Sequence, residues 1–176
     1  SNLRRQRQMC IRDRLKILDV LNPNNEAGKI TLICRMGHEK VSGILPKIIR
    51  SVNSAGKNVV WTCDPMHGNT IKSNTGFKTR PLKDIISEIQ QFFQIHRSEG
   101  TYPGGVHLEM TGQDVTECMG GLQEITDEDL KNRYHTYCDP RLNASQSLEL
   151  AFLLSDFLKE EKSVSYTHLT LPTKVR

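Results

Sequence analysis

Three residues of this chain have side chains that could do chemistry together: His67, Glu109 and Asp139. One imidazole and two carboxylates suit a borderline or hard divalent cation, Mn²⁺ or Fe²⁺ more than structural zinc. A catalytic ion of that kind keeps one position open for a substrate oxygen, which it polarises. A plainer arrangement is also open, in which His67 caps a turn and the acids pair with Arg35, Lys78 or Arg141. The cations Arg35, Lys78, Arg80 and Arg141 fall on loops or strand ends. There, arginine forks and lysine point charges suit phosphate and carboxylate groups, or simply face water. "CDPMHGNT" (63–70) and "CDPRLN" (138–143) repeat one phrase. Proline lacks the N–H needed to extend a ladder, so each Asp-Pro should end an apolar run and deliver polar groups there. The repeat is read as marking equivalent positions in two units that share a site.

Other motifs carry less. Cys34, Cys63, Cys118 and Cys138 are scattered, with no CxxC pair. They read as reduced thiols; a nucleophilic Cys63 or Cys138 is a weaker alternative to a small thiol packed before a turn. "HGNT" and "PGG" contain glycine but match neither the Walker nor the dinucleotide pattern.

The elements that would position these residues repeat a strand–helix phrase. "KITLICRM" (29–36) is a β-branched run, followed by a helical pattern at 40–56 with Val41, Ile44, Leu45, Ile48, Ile49 and Val52 on one face and Gly56 at its end. "NVVWTCDPM" (58–66) reads as a second strand, and 81–100 as a helix with Leu82, Ile85, Ile86, Ile89, Phe92 and Phe93 along one stripe. "GGVHLEMTG" (104–112) reads as a third strand, followed by a helix candidate at 127–134. "HTYCDPRLN" (135–143) reads as a fourth, followed by a helix at 143–161 with Asn143 or Ser145 as cap. Strands alternating with amphipathic helices predict parallel βα units with strands buried on both faces. Four units fit either a small doubly wound sheet or half of an eight-stranded barrel, and both place chemistry at the carboxyl ends of the strands.

The termini read differently from the rest. Back-translated, "RRQRQMCIRD" (4–13) and "VSYTHLTLPT" (164–173) are the two strands of one ten-codon DNA sequence. Residues 1–14 and 163–176 are therefore expected to be linker-derived flanks, with 15–162 native. The flanks carry six arginines, one lysine and one aspartate, so without them the net charge of +4 becomes −2. The basic character that would otherwise suggest a nucleic-acid partner goes with them. No apolar run approaches the ~20 residues that span a bilayer, and a cytoplasmic protein is expected, or a plastid one if the source is a plant.

Long ordered strings add a resemblance. "RMGHEKVSGILPKIIRSV", "VVWTCDPMHGNT", "GFKTR", "GTYPGGVHLEMTGQDVTECMGG" and "RYHTYCDPRLNASQSLELAFLL" together resemble the class II 3-deoxy-D-arabino-heptulosonate 7-phosphate (DAHP) synthases. The resemblance covers essentially all of 15–162. It implies the C-terminal half, about four βα units, of a (β/α)₈ TIM-type barrel. It implies a metal-dependent aldol-type condensation of phosphoenolpyruvate (PEP) with erythrose 4-phosphate, the first step of the shikimate pathway. His67, Glu109 and Asp139 would hold the divalent metal, Mn²⁺ first, with Co²⁺ or another divalent ion as alternatives. Arg35 would bind PEP, and Lys78 and Arg80 erythrose 4-phosphate. The family's metal-binding cysteine belongs to the N-terminal half and is transferred to no cysteine here. The full-length enzyme is expected to be a homo-oligomer and this chain alone inactive. The alternative is a non-catalytic metal- or phosphate-binding α/β module.

Overall fold

The computed structural model describes residues 11–167. In chain order its elements are α1 (Ile11–Leu21), β1 (Thr31–Cys34), α2 (Val41–Ser54), β2 (Val60–Cys63), β3 (Ile71–Lys72), β4 (Lys78–Thr79), α3 (Leu82–Ser98), β5 (Pro103–Val106) and α4 (Ala144–Thr167). They fall into two compact units. One is the chain up to Thr70 with Asp84–Leu108; the other is Ile71–Lys83 with the chain from Glu109 onward. Of the expected flanks, residues 1–10 and 168–176 lie outside the described residues. No described helix is long and apolar enough to cross a membrane.

The first unit is a parallel sheet in the order β1-β2-β5, with Cys34 opposite Cys63 and Cys63 opposite Val106. Parallel neighbours need a crossover, and α2 and most of α3 supply the two. α2 buries Val41, Leu45, Ile48, Ile49 and Val52, as helical spacing requires, while Ile44 is exposed. Its end is a Schellman turn: Gly56, at φ +64°, donates to Asn53, and Lys57 donates to Val52. Burial of every strand on both faces does not hold. Ile33 is 59% exposed on β1, because the residues of one strand alternate between faces and Cys34 takes the buried one.

α3 buries Leu82, Ile85, Ile89, Phe92 and Phe93, and with them two polar residues, Glu88 and His96. His96 packs on Phe92 and Trp61, with ring centroids 4.4 and 5.5 Å away, and its Nδ1 meets the Thr101 hydroxyl at 2.7 Å. Its Nε2 has no hydrogen-bond partner among the described residues. Burial pushes its pKa down from the ordinary 6.5 to about 4. The native state therefore prefers the neutral ring. Its contribution is fully present above pH 6.5 and is lost as pH falls toward 4, where the unfolded chain takes up the proton first. Burial pushes the Glu88 carboxyl up, which acts with the opposite sign, so a variant comparison is needed to isolate the histidine. His96→Asn is expected to flatten the loss of stability between pH 6.5 and 4. Urea unfolding of both proteins across that range checks it, and parallel slopes would count against a neutral buried His96.

The second unit holds an antiparallel β3–β4 hairpin, which periodicity does not suggest, and α4. Asn143 caps α4: its Oδ1 accepts from Gln146 N–H at 2.9 Å, and Gln146 Oε1 accepts from Asn143 N–H at 3.2 Å. This is a reciprocal capping box. Leu150 is buried but Leu148 and Phe152 are exposed, so the apolar residues of α4 do not share one buried face.

Three expectations fail here. The third strand is Pro103–Val106 only; beyond it, Met110 makes a lone parallel bridge to Leu142. The helix expected at 127–134 is a 3₁₀ turn, Leu130–Asn132: Leu130 donates to the Asp127 carbonyl and Asn132 to that of Asp129, and the Arg133 N–H goes to the Thr116 hydroxyl instead of continuing a helix. Short polar side chains compete with a helix in this way. The fourth strand, 135–143, is absent except for that bridge. Pro140 has no N–H, and the N–H groups of His135 and Arg141 go to the buried Glu117 carboxylate instead of a neighbouring strand. The parallel sheet has three strands, not four.

Candidate active site

In the first unit the chain leaves β1 into Arg35 and β2 into Asp64, side by side through the Cys34–Cys63 register. The Asp64 N–H donates to the Cys34 carbonyl at 2.7 Å, adding one rung. The Asp64 side chain is 1% exposed. Its Oδ1 accepts the N–H groups of Met66 (3.1 Å) and His67 (3.2 Å), and its Oδ2 meets His67 Nδ1 (2.7 Å) and Arg35 Nε (3.1 Å). One carboxylate thus holds a metal candidate and an anion-binding candidate.

The loops carrying these residues are fastened together. The backbones of Gly37 and Gly68 pass so close that a Cβ on Gly68 would lie 2.3 Å from the Gly37 nitrogen. Glu88, reaching from α3, accepts from the N–H groups of Met36 (3.1 Å) and Gly37 (2.9 Å) and from Asn69 Nδ2 (2.8 Å). Asn69 Oδ1 in turn accepts the His38 N–H at 3.0 Å.

In the second unit Glu109 and Asp139 both meet Arg80, whose side chain is fully buried. Arg80 Nη1 pairs with Glu109 and donates to the Pro140 carbonyl at 2.6 Å, while Nη2 lies 3.5 Å from Asp139 Oδ1. Lys78, half exposed, also pairs with Asp139. The Lys78 hydrogen bond, with help from Cys138 and the Arg80 charge, holds the Asp139 carboxyl below its ordinary range. Arg141 donates twice to Glu117, from Nε at 3.0 Å and Nη2 at 2.7 Å. Burial alone would raise the Glu117 carboxyl; the bonds from Arg141 outweigh it and lower it.

The acids are therefore paired with cations, though with Arg80 and Lys78 rather than Arg35 or Arg141. The two Cys-Asp-Pro phrases are not equivalent. Asp64 follows a true strand and is turned onto its own neighbours, whereas no strand precedes Asp139, which meets Lys78 and Arg80. Arg80, grouped by sequence with exposed loop cations, is buried. Sequence reasoning passes over Glu88, Asn69 and Glu117 altogether. Glu88 carries a signal: it is an acid within the apolar stripe of α3, flanked by Ile85, Ile89 and Phe92.

Against known proteins, the sequence matches the Class-II DAHP synthetase family over residues 5–155. The chain belongs to that family. It is 54% identical over 146 residues to the phospho-2-dehydro-3-deoxyheptonate aldolase AroG of Mycolicibacterium smegmatis, covering 83% of this chain and 32% of that protein. It is 48% identical over 147 residues to the phospho-2-dehydro-3-deoxyheptonate aldolase of Streptomyces coelicolor, covering 84% of this chain and 33% of that one. It spans about a third of the length of these curated relatives.

Within this class-II DAHP synthetase segment the described cysteines are free thiols. Cys34, Cys63 and Cys118 are buried, and burial raises all three, Cys34 and Cys118 to about 12. A thiol held protonated is a poor nucleophile and a poor metal ligand. Cys138 alone of the four is exposed.

Proposed function

We propose that the protein carrying this segment condenses PEP with D-erythrose 4-phosphate to give DAHP and inorganic phosphate. The observation that carries the reading is Asp64, which gathers an imidazole and a guanidinium at the ends of adjacent parallel strands in a chain of this family. The architecture proposed is the C-terminal half of a (β/α)₈ barrel; strands in the order β1-β2-β5, all parallel and joined by helices, support it. Residues 1–14 and 163–176 are proposed to be foreign to it, which sequencing across both junctions in the source genome would check.

His67, Glu109 and Asp139 are the proposed metal ligands, as the resemblance to this family implies. Nitrogen and carboxylate oxygen donors fit Mn²⁺ best, with Co²⁺ as the alternative. Such an ion would supply Lewis-acid polarisation of the aldehyde oxygen of erythrose 4-phosphate. The protein's own residues do the rest. Arg35, half exposed, meets PEP at its phosphate, where a planar fork matches the oxyanion. Lys78 neutralises the phosphate of erythrose 4-phosphate, at the cost of its bond to Asp139. Arg80, assigned with Lys78 to that substrate on sequence grounds, acts from its buried position by holding Glu109 and Asp139. Holding two phosphorylated substrates against their mutual repulsion aligns the reacting carbons.

The full-length gene product should release phosphate when given both substrates and Mn²⁺, while the 176-residue chain alone should not. Turnover by the isolated chain would refute the inactivity of the segment. A full-length protein that binds Mn²⁺ and PEP without turnover would leave the non-catalytic binding module standing in place of the enzyme.

A further inference from the structure

We propose that Asp64 is a positioning residue whose single buried carboxylate aims both the metal-binding imidazole of His67 and the anion-binding guanidinium of Arg35. It rests on the reading above, in which His67 binds the cation and Arg35 binds PEP.

The geometry starts with the Asp-Pro step. Pro65 has no N–H, so the first donors available to Asp64 Oδ1 are the N–H groups of Met66 and His67, and it takes both. That closes a tight turn, which brings the imidazole back against the other oxygen of the same carboxylate. An ionised carboxylate only accepts, so the proton in the 2.7 Å contact belongs to His67 Nδ1. The nitrogen that would bind a cation is then Nε2. A histidine ligand that donates its other N–H to a carboxylate is locked in tautomer and ring orientation and becomes a stronger donor. Oδ2 also takes Arg35 Nε at 3.1 Å, which leaves the two Nη groups of a half-exposed side chain to fork onto an oxyanion.

Sharing one oxygen has a consequence that separate supports would not have. Loss of the Asp64 charge should weaken cation binding and PEP binding together. It should do so without unfolding the loop, because the Met36 and Gly37 N–H groups and Asn69 are held independently by Glu88.

Asp64→Asn in the full-length enzyme separates these effects. The asparagine carbonyl can still take the Met66 and His67 N–H groups, whereas its amide N–H₂ would face two donors. Thermal melting should shift by no more than about 5 °C. Mn²⁺ affinity, read by electron paramagnetic resonance of the free ion without substrate, should fall about 10–100-fold. PEP affinity, read by calorimetry without metal, should fall about tenfold. As references, His67→Gln should weaken Mn²⁺ alone and Arg35→Ala should weaken PEP alone. If these two references behave so while Asp64→Asn binds both ligands as the parent does, or loses only one, the role of Asp64 is overturned and the functional reading survives. If neither reference weakens its ligand, both readings fall together. Should Asp64→Asn not fold, ¹⁵N NMR of the parent decides: a proton on His67 Nδ1 supports the proposal, and one on Nε2 overturns it.

Discussion

Glu109→Gln in the full-length enzyme is expected to cut turnover about 10³-fold, even with Mn²⁺ and both substrates saturating. The change preserves the shape of the side chain and its ability to accept from Arg80. It removes one negative charge from a proposed set of one imidazole and two carboxylates. A hard cation is held mainly by that charge, and a neutral amide oxygen replaces it poorly. Metal-assisted polarisation supplies several kcal/mol in the transition state, and a loss of ~4 kcal/mol corresponds to about three orders of magnitude in rate. The loss should appear in kcat and also as weaker Mn²⁺ binding. A Glu109→Gln enzyme with near-parental kcat and Mn²⁺ affinity would remove Glu109 from the ligand set. It would leave the residue as a structural partner for the buried Arg80.

The largest expected effect on stability lies at Gly68. A methyl group there would stand 2.3 Å from the Gly37 nitrogen and 2.9 Å from its Cα, both backbone atoms that cannot swing aside. Relief requires the turn after β1 and the turn after β2 to separate. That in turn strips Glu88 of two buried N–H donors, and each buried group left unpaired costs ~1–3 kcal/mol. Gly68→Ala should therefore cost on the order of 4 kcal/mol, at the severe end for a point substitution. Gly43 is the contrast. It sits in α2, and a Cβ added there would meet nothing within 4 Å, so Gly43→Ala should gain ~0.5–1 kcal/mol from helix propensity. Urea unfolding of the two variants against the parent checks both signs. Equal midpoints for Gly68→Ala and the parent would mean that the two loops are not fastened through this contact.

These expectations show unevenly how far the linear order of residues reaches. The helix at 41–54, its glycine end and the strands at 31–34 and 60–63 were all legible. In each, local preference and burial agree: β-branched runs pack in a sheet, and 3.6-residue spacing buries one helical face. Arg35 and His67 were legible as groups just beyond strand ends for a related reason, whereas no strand leads into Asp139. Where an apolar run stops at Asp-Pro or a glycine, the next polar side chains are placed by the turn itself.

The fourth strand and the helix at 127–134 were misjudged because backbone donors within them are taken by distant side chains, Glu117 for His135 and Arg141 and Thr116 for Arg133, and no periodicity records that competition. Partner choice belongs to the tertiary level as well. Sequence order made the two Cys-Asp-Pro phrases look alike. The folded chain buries Asp64 between His67 and Arg35 and sets Asp139 against Lys78 and Arg80. Residue types and strand ends determine which groups can do chemistry. Which of them share a hydrogen bond depends on the register of neighbouring strands and on buried groups such as Glu88 and Arg80, whose burial is tolerable only once their partners have been brought to them.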